Sequence, residues 1–186
     1  MIRRINIYGG PGSGKSTTAA GLFSKLKQRT ITNGIPIKLE LVTEYVKQWT
    51  YDGRSPQGFF QNYIWARQQH TEEVALRAKV DVIVTDCPLL MCCCYADKYK
   101  VPTASYLAEM TALYEKQYPA LHILLRRNDR PYVQLGRWQN QNEASEMDIH
   151  IKSFLMQNTI NFFEVDSGDQ ESLEKLVFDK LGINYE

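Results

Sequence analysis

Apolar residues along the chain fall into short β-branched runs separated by longer stretches with helical spacing. Ile2, Ile5 and Ile7 with Tyr8 form the first run and read as a buried strand. Pro36–Thr43 (PIKLELVT) alternates Ile37, Leu39 and Leu41 before Val42, and predicts a second strand. Val80–Thr85 (VDVIVT), Leu121–Leu125 (LHILL) and Thr159–Val165 (TINFFEV) bring the strands to five. Thr17–Arg29 places Ala20, Leu22, Phe23 and Leu26 at helical spacing, and Pro56–Lys79 does so with Ile64, Val74 and Leu76. Leu89–Asp97, Thr103–Gln117, Ala144–Gln157 and Gln170–Leu181 read as further helices. Asn33-Gly34 marks a turn, Pro88 stops the third strand, and Tyr51–Ser55 and Asn128–Asn142 are polar loops. Strands alternating with helices predict an α/β fold, a five-stranded parallel sheet covered on both faces. The 186 residues suit one domain, with about 128–142 as a small lid. Sheets of this kind bind ligands at the carboxyl ends of their strands. The loop after Tyr8, Glu44, Asp86 and Arg126-Arg127 should therefore converge.

The loop after the first strand carries the chemistry. Gly9-Gly10-Pro11-Gly12-Ser13-Gly14-Lys15-Ser16-Thr17 matches the phosphate-binding pattern G-x-x-x-x-G-K-[ST], flanked by the strand and helix that the pattern requires. Backbone N–H groups in such a loop can point inward at a phosphate, and the following helix adds its positive end. Lys15 supplies a charge for the outer phosphates, and the Ser16 hydroxyl suits Mg²⁺. The motif predicts a P-loop NTPase fold that binds ATP with Mg²⁺.

Glu44 follows the second strand, where it is expected to take a proton from an acceptor hydroxyl; the bland alternative is an exposed acid opening a helix. Asp86 ends the third strand and is expected to hold Mg²⁺ directly or through water, with an N-cap as the alternative. Arg126, Arg127, Arg130 and Arg137 stand in or beside the polar loop and are candidates for phosphate contact. Arg137 leads, because Gly136 beside it lets the loop close. Gly58–Gln69 is rich in aromatics and amides; most should be core, while Gln61, Trp65, Arg67 or Gln68, with Tyr45 and Trp49, are candidates to line an acceptor pocket. His122 inside an apolar strand reads as a satisfied core residue.

Composition adds exclusions. A formal net charge of +1 gives no global argument for a nucleic-acid or membrane surface, and no apolar run reaches the ~18 residues of a membrane span. No secretory signal precedes the loop. Cys92, Cys93 and Cys94 are adjacent and Cys87 is close, which suits buried packing more than a disulfide framework or metal site, a reactive thiol being the alternative. Reduced thiols point to the cytoplasm.

The order GGPGSGKST, VTEYVKQW, TDCPLL and RPYVQLGRW resembles small P-loop kinases of the ribosylnicotinamide kinase type, over nearly the whole chain. That resemblance implies acceptor, base or metal roles for Glu44 and Asp86 and a lid role for Arg137. TEYVKQW is also similar to the T-E-P-x-x-x-W element of deoxynucleoside kinases, which implies a base at Glu44 and a nucleoside-pocket wall at Trp49; Tyr45 replaces the proline, and Cys87 stands where those kinases have arginine. Phage P-loop kinases that phosphorylate hydroxymethylated pyrimidines in DNA use similar machinery. The expectation is thus an ATP-dependent kinase with a nucleoside- or nucleotide-like acceptor, as monomer or homodimer, without a membrane partner. Modified DNA as acceptor and an acceptor-independent ATPase are the alternatives.

Overall fold

The computed structural model describes residues 1–32, 37–129 and 131–183. The Asn33-Gly34 turn, Pro36 and the candidate Arg130 lie outside them. The strands β1 (Arg4–Tyr8), β2 (Leu39–Val42), β3 (Val82–Thr85), β4 (Ala120–Arg126) and β5 (Phe162–Asp166) form one parallel sheet in the order β2-β3-β1-β4-β5. The helices are α1 (Lys15–Thr32), α2 (Lys47–Tyr51), α3 (Phe60–Arg77), α4 (Leu89–Lys98), α5 (Ala104–Gln117), α6 (Gln141–Gln157) and α7 (Gln170–Leu181).

The central position of β1 follows from its side chains, all five of which are buried. Ile5 and Ile7 pack with Leu22 and Leu26 of α1 and with Leu173, Val177 and Phe178 of α7. Tyr8 faces the other side, in a cluster with Leu90 and Met91 of α4, Leu107 of α5 and Met147 and Ile151 of α6. Helices on both faces are what a parallel sheet needs to keep both surfaces from water.

The same strand buries two polar residues. Arg4 donates to Glu72 at 3.2 Å and to Glu115 at 2.9 Å, and its Nε donates to the Tyr118 carbonyl. Glu115 also meets His122 at 3.0 Å, and the His122 Nδ1 is 2.8 Å from the Tyr8 hydroxyl. His122 is the satisfied core residue that its apolar strand implied. Together these groups tie α3 and α5 to the middle of the sheet through polar contacts that a run of isoleucines does not reveal.

Several strands start later than the apolar runs do. Residues before Phe162 are taken by the end of α6, where the Ile160 N–H donates to the Leu155 carbonyl and Thr159 turns left-handed at φ 57°. β2 and β3 begin pairing only at Leu39 and Val82. α6 starts earlier than Ala144 because Asn140 and Glu143 form a capping box, with bonds of 2.7 and 3.0 Å between each backbone N–H and the other's side chain. α2 was not expected; it is five residues long and buries only Trp49, too little for a periodic signal. Among the described residues, no helix is long and apolar enough to cross a membrane.

Candidate active site

The phosphate loop joins β1 to α1 at the carboxyl edge of the sheet. Its turn closes through Ser13 N–H to the Gly10 carbonyl (3.2 Å) and Thr18 N–H to the Gly14 carbonyl (2.9 Å). Gly14 holds φ at 94°, and a Cβ there would stand 2.7 Å from the Ser167 Oγ, so both dihedral and contact require glycine. Ser167, in the turn after β5, donates to the Ser13 carbonyl at 2.6 Å, and Asn128 donates to the Ser167 carbonyl. Ser167 is thereby a strut under the loop.

The loop has a second brace that no motif signals. The Gly10 N–H donates to the Asp148 Oδ1 at 2.6 Å, and the Arg127 Nε donates to the Asp148 Oδ2 at 2.6 Å. Arg127 also donates to the Pro11 carbonyl at 2.8 Å. Arg127, expected on a phosphate, thus has its guanidinium engaged by loop backbone and by α6. Arg126 instead pairs with Asp166 at 2.7 Å, both side chains exposed. Neither arginine lines the cavity described next, each being held by its aspartate.

A cavity of about 270 Å³ opens beside the loop. Its walls bring together Lys15, Ser16 and Thr17 of the loop, Glu44 after β2, and Arg137 of the segment joining β4 to α6. Lys15 donates to the Gly10 carbonyl at 3.0 Å. Burial raises the Glu44 carboxyl above its ordinary range; Lys15 opposes this, the Asp86 charge adds to it, and Lys47 and Arg137 oppose it. The three cations and the acid therefore share one electrostatic field. Arg137 donates to the Val133 carbonyl and lies 5.4 Å from the Tyr132 ring centroid. Gly136 beside it takes φ 74°, and a Cβ would meet the Tyr51 hydroxyl at 3.0 Å, so the connecting segment touches α2 where only glycine fits.

Asp86 sits just behind this wall. It is buried, and its Oδ1 has no hydrogen-bond partner. Among the described residues there is no cluster of three or more acidic, histidine or cysteine ligands. Mg²⁺ does not need one, since it is bound through one or two carboxylates, waters and substrate phosphates. An unpartnered carboxylate oxygen at the end of β3, with the Ser16 hydroxyl on the cavity wall, fits such an ion.

Of the residues expected to line an acceptor pocket, Gln61 does so, its Nε2 anchored on the Pro56 carbonyl at 2.5 Å. Trp65 does not: its indole N–H donates to the Thr111 hydroxyl at 2.7 Å, between α3 and α5. Gln68 is fully buried and accepts from the Tyr45 N–H. Tyr45 and Arg67 pair with each other outside the cavity, the guanidinium 5.3 Å from the ring. Trp49 packs on Ile64 and Cys92. Helical spacing alone does not separate them, since Trp65 stands four residues after Gln61 on the same face; the Thr111 and Tyr45 partners take Trp65 and Gln68 away from the cavity.

The wall also holds residues that motif reasoning missed: Lys47, Thr50 and Tyr51 of α2, Tyr95 of α4, and Trp138 and Gln139. Cys92 and Tyr95 are three apart on α4, a spacing that puts both on one helix face. Burial raises the Tyr95 phenol far above its usual range, and the Glu44 charge adds to that. All four cysteines are free and buried. A hydrogen bond with Cys92 and burial push the Cys87 thiol up, and burial pushes Cys93 up to about 12, so these thiols pack as neutral groups.

A family model described as AAA domain matches residues 4–172. No curated protein matches the sequence. Among solved structures, Chaetomium thermophilum Kti12 in complex with ADP-AlF3 is similar in fold, with a TM-score of 0.51 at 16% identity, over 96% of this chain and 97% of that one. The loop, the parallel sheet and this match agree that the fold is that of a P-loop NTPase, and the chain belongs to the AAA-domain family.

Proposed function

We propose that this protein is an ATP-dependent kinase that moves the γ-phosphoryl group to a hydroxyl of a nucleoside- or nucleotide-like acceptor. The observation that carries the reading is that one cavity joins the phosphate loop to the Gln61, Tyr51 and Tyr95 walls, with Glu44 on its surface. Such an extension gives room for an acceptor beside the phosphates. In this reading Gly9 to Thr17 cradle the triphosphate and Lys15 balances its outer charges. Ser16 and Asp86 would hold Mg²⁺, which when bound neutralises charge on the phosphates.

Glu44 accepts the proton of the acceptor hydroxyl as its oxygen bonds to the γ-phosphorus, while the bond from that phosphorus to the β-phosphate oxygen breaks and ADP leaves. A carboxylate raised toward neutrality by burial is a stronger base than one in water, which suits this role. Arg137 supplies positive charge to the migrating group from the segment above the loop. Kti12 was crystallised in complex with ADP-AlF3, and nucleotide binding by this chain is in keeping with that. The sequence resemblance to ribosylnicotinamide-type kinases supports a ribose or related hydroxyl as target.

The test is transfer of label from γ-labelled ATP to a panel of nicotinamide riboside, nucleosides, nucleotides and hydroxymethylated DNA. Wild type should label at least one acceptor, and Lys15→Ala should label none while keeping its circular-dichroism spectrum and melting behaviour. Full turnover by folded Lys15→Ala would remove the assignment.

A further inference from the structure

Outside the cavity lies a surface that phosphoryl transfer does not use. Tyr45, Trp49, Phe60 and Tyr63 form one connected aromatic cluster over α2 and the start of α3. Trp49 meets Phe60 edge-on at 5.4 Å and stacks on Tyr63 at 5.9 Å, and Tyr45 meets Tyr63 at 6.0 Å. Phe60 stays 56% and Tyr63 49% exposed, although α3 has already buried Gln61, Ile64, Gln68, Glu72 and Leu76 on its inner faces. Their contact with the buried Trp49 thus covers only part of each ring and leaves the rest in water.

Two guanidiniums frame the rings. Arg67 lies 5.3 Å from the Tyr45 centroid and Arg54 5.9 Å from that of Trp49. Arg54 has an acidic neighbour in Asp52, at 3.8 Å between two exposed side chains, a pair that solvent screens heavily. The chain as a whole carries a formal +1, so the cationic character is local. The surface adjoins the cavity mouth, because Thr50 and Tyr51 of α2 and Gln61 and Ile64 of α3 belong to the cavity wall.

Two exposed rings flanked by two guanidiniums offer a stacking platform with cations beside it. Single-stranded nucleic acid stacks bases on aromatic faces and places its phosphates on cations, with little regard to sequence. We propose that this surface binds single-stranded nucleic acid, bases stacked on Phe60 and Tyr63 and phosphates on Arg54 and Arg67, so that the strand leads a nucleotide to the cavity mouth. Strand binding stands on the surface alone; delivery to the cavity rests on the kinase reading.

The experiment is fluorescence anisotropy of a labelled twelve-nucleotide oligothymidylate, and of its duplex, titrated with the full chain at two salt concentrations. Wild type should prefer the single strand and weaken with salt. Phe60→Ala/Tyr63→Ala should weaken binding by roughly tenfold or more. Arg54→Glu, at an exposed position, should weaken it and flatten its salt dependence. Both variants should label a free nucleoside acceptor from γ-labelled ATP as wild type does. No binding by wild type, or binding indifferent to both variants, overturns the proposal. So does wild-type dimerisation in sedimentation velocity that the ring variant abolishes, which would assign the surface to a second copy. Failure of wild type to label any acceptor sinks the kinase reading instead, and leaves strand binding measurable.

Discussion

Glu44 is where the proposed chemistry is decided. Lys15, Lys47 and Arg137 favour its charged form, yet burial and the Asp86 charge keep its carboxyl above the usual range. In the kinase reading the ionised form works as base, so the rate should climb with pH along an acid limb lying above 4.5, the ordinary glutamate value. Glu44→Gln should remove that limb and lower kcat by about 10²- to 10⁴-fold, with ATP affinity little changed. A pH–rate profile of the two proteins checks this, and an unchanged limb in the variant would return Glu44 to a surface acid. The neighbouring arginines teach a different lesson. Sequence reasoning could nominate Arg126, Arg127 and Arg137 together, because charge type is legible and direction is not. Of these three, Arg137 alone reaches the cavity, since Asp166 and Asp148 take the other two.

Elements were legible where a local rule governs them. The loop from Gly9 to Thr17, the acids at the ends of β2 and β3, and α7 from Gln170 to Leu181 all follow from spacing, punctuation or strand ends. What escaped depended on tertiary partners. α2 has no periodic face of its own, and Trp65 belongs to the core because Thr111, 46 positions away, offers its indole a bond. Asp148 braces the phosphate loop from α6, across 138 residues of chain. That brace ties the middle of α6 to the phosphate loop. Asn140→Ala should remove half of the capping box and cost about 1 kcal/mol, read as a lower urea midpoint at unchanged slope. No shift in that midpoint would mean the cap contributes nothing to stability.

Across the whole molecule, the buried polar network links β1, β4, α3 and α5 under the site. Burial raises the Glu72 carboxyl from 4.5 to about 7, with Arg4 opposing. Burial also acts on Glu115, but His122 and Arg4 bring that carboxyl below its ordinary value. The folded chain thus holds the Glu72 proton more tightly than the unfolded chain does. Its contribution to stability is complete below pH 4.5 and is lost as pH rises toward about 7. Wild-type stability minus that of Glu72→Gln, from urea unfolding at several pH values, should fall across this window and level off above it. A difference that stays flat or rises would contradict the assignment. The central claim is narrower: a nucleotide and an acceptor alcohol meet in one cavity at Glu44. Its most direct test follows γ-labelled ATP in wild type and Glu44→Gln, counting label in acceptor and in inorganic phosphate. The account predicts acceptor labelling by wild type that collapses in the variant while bound ATP persists. Label found only in inorganic phosphate, released equally fast by both proteins, would contradict it.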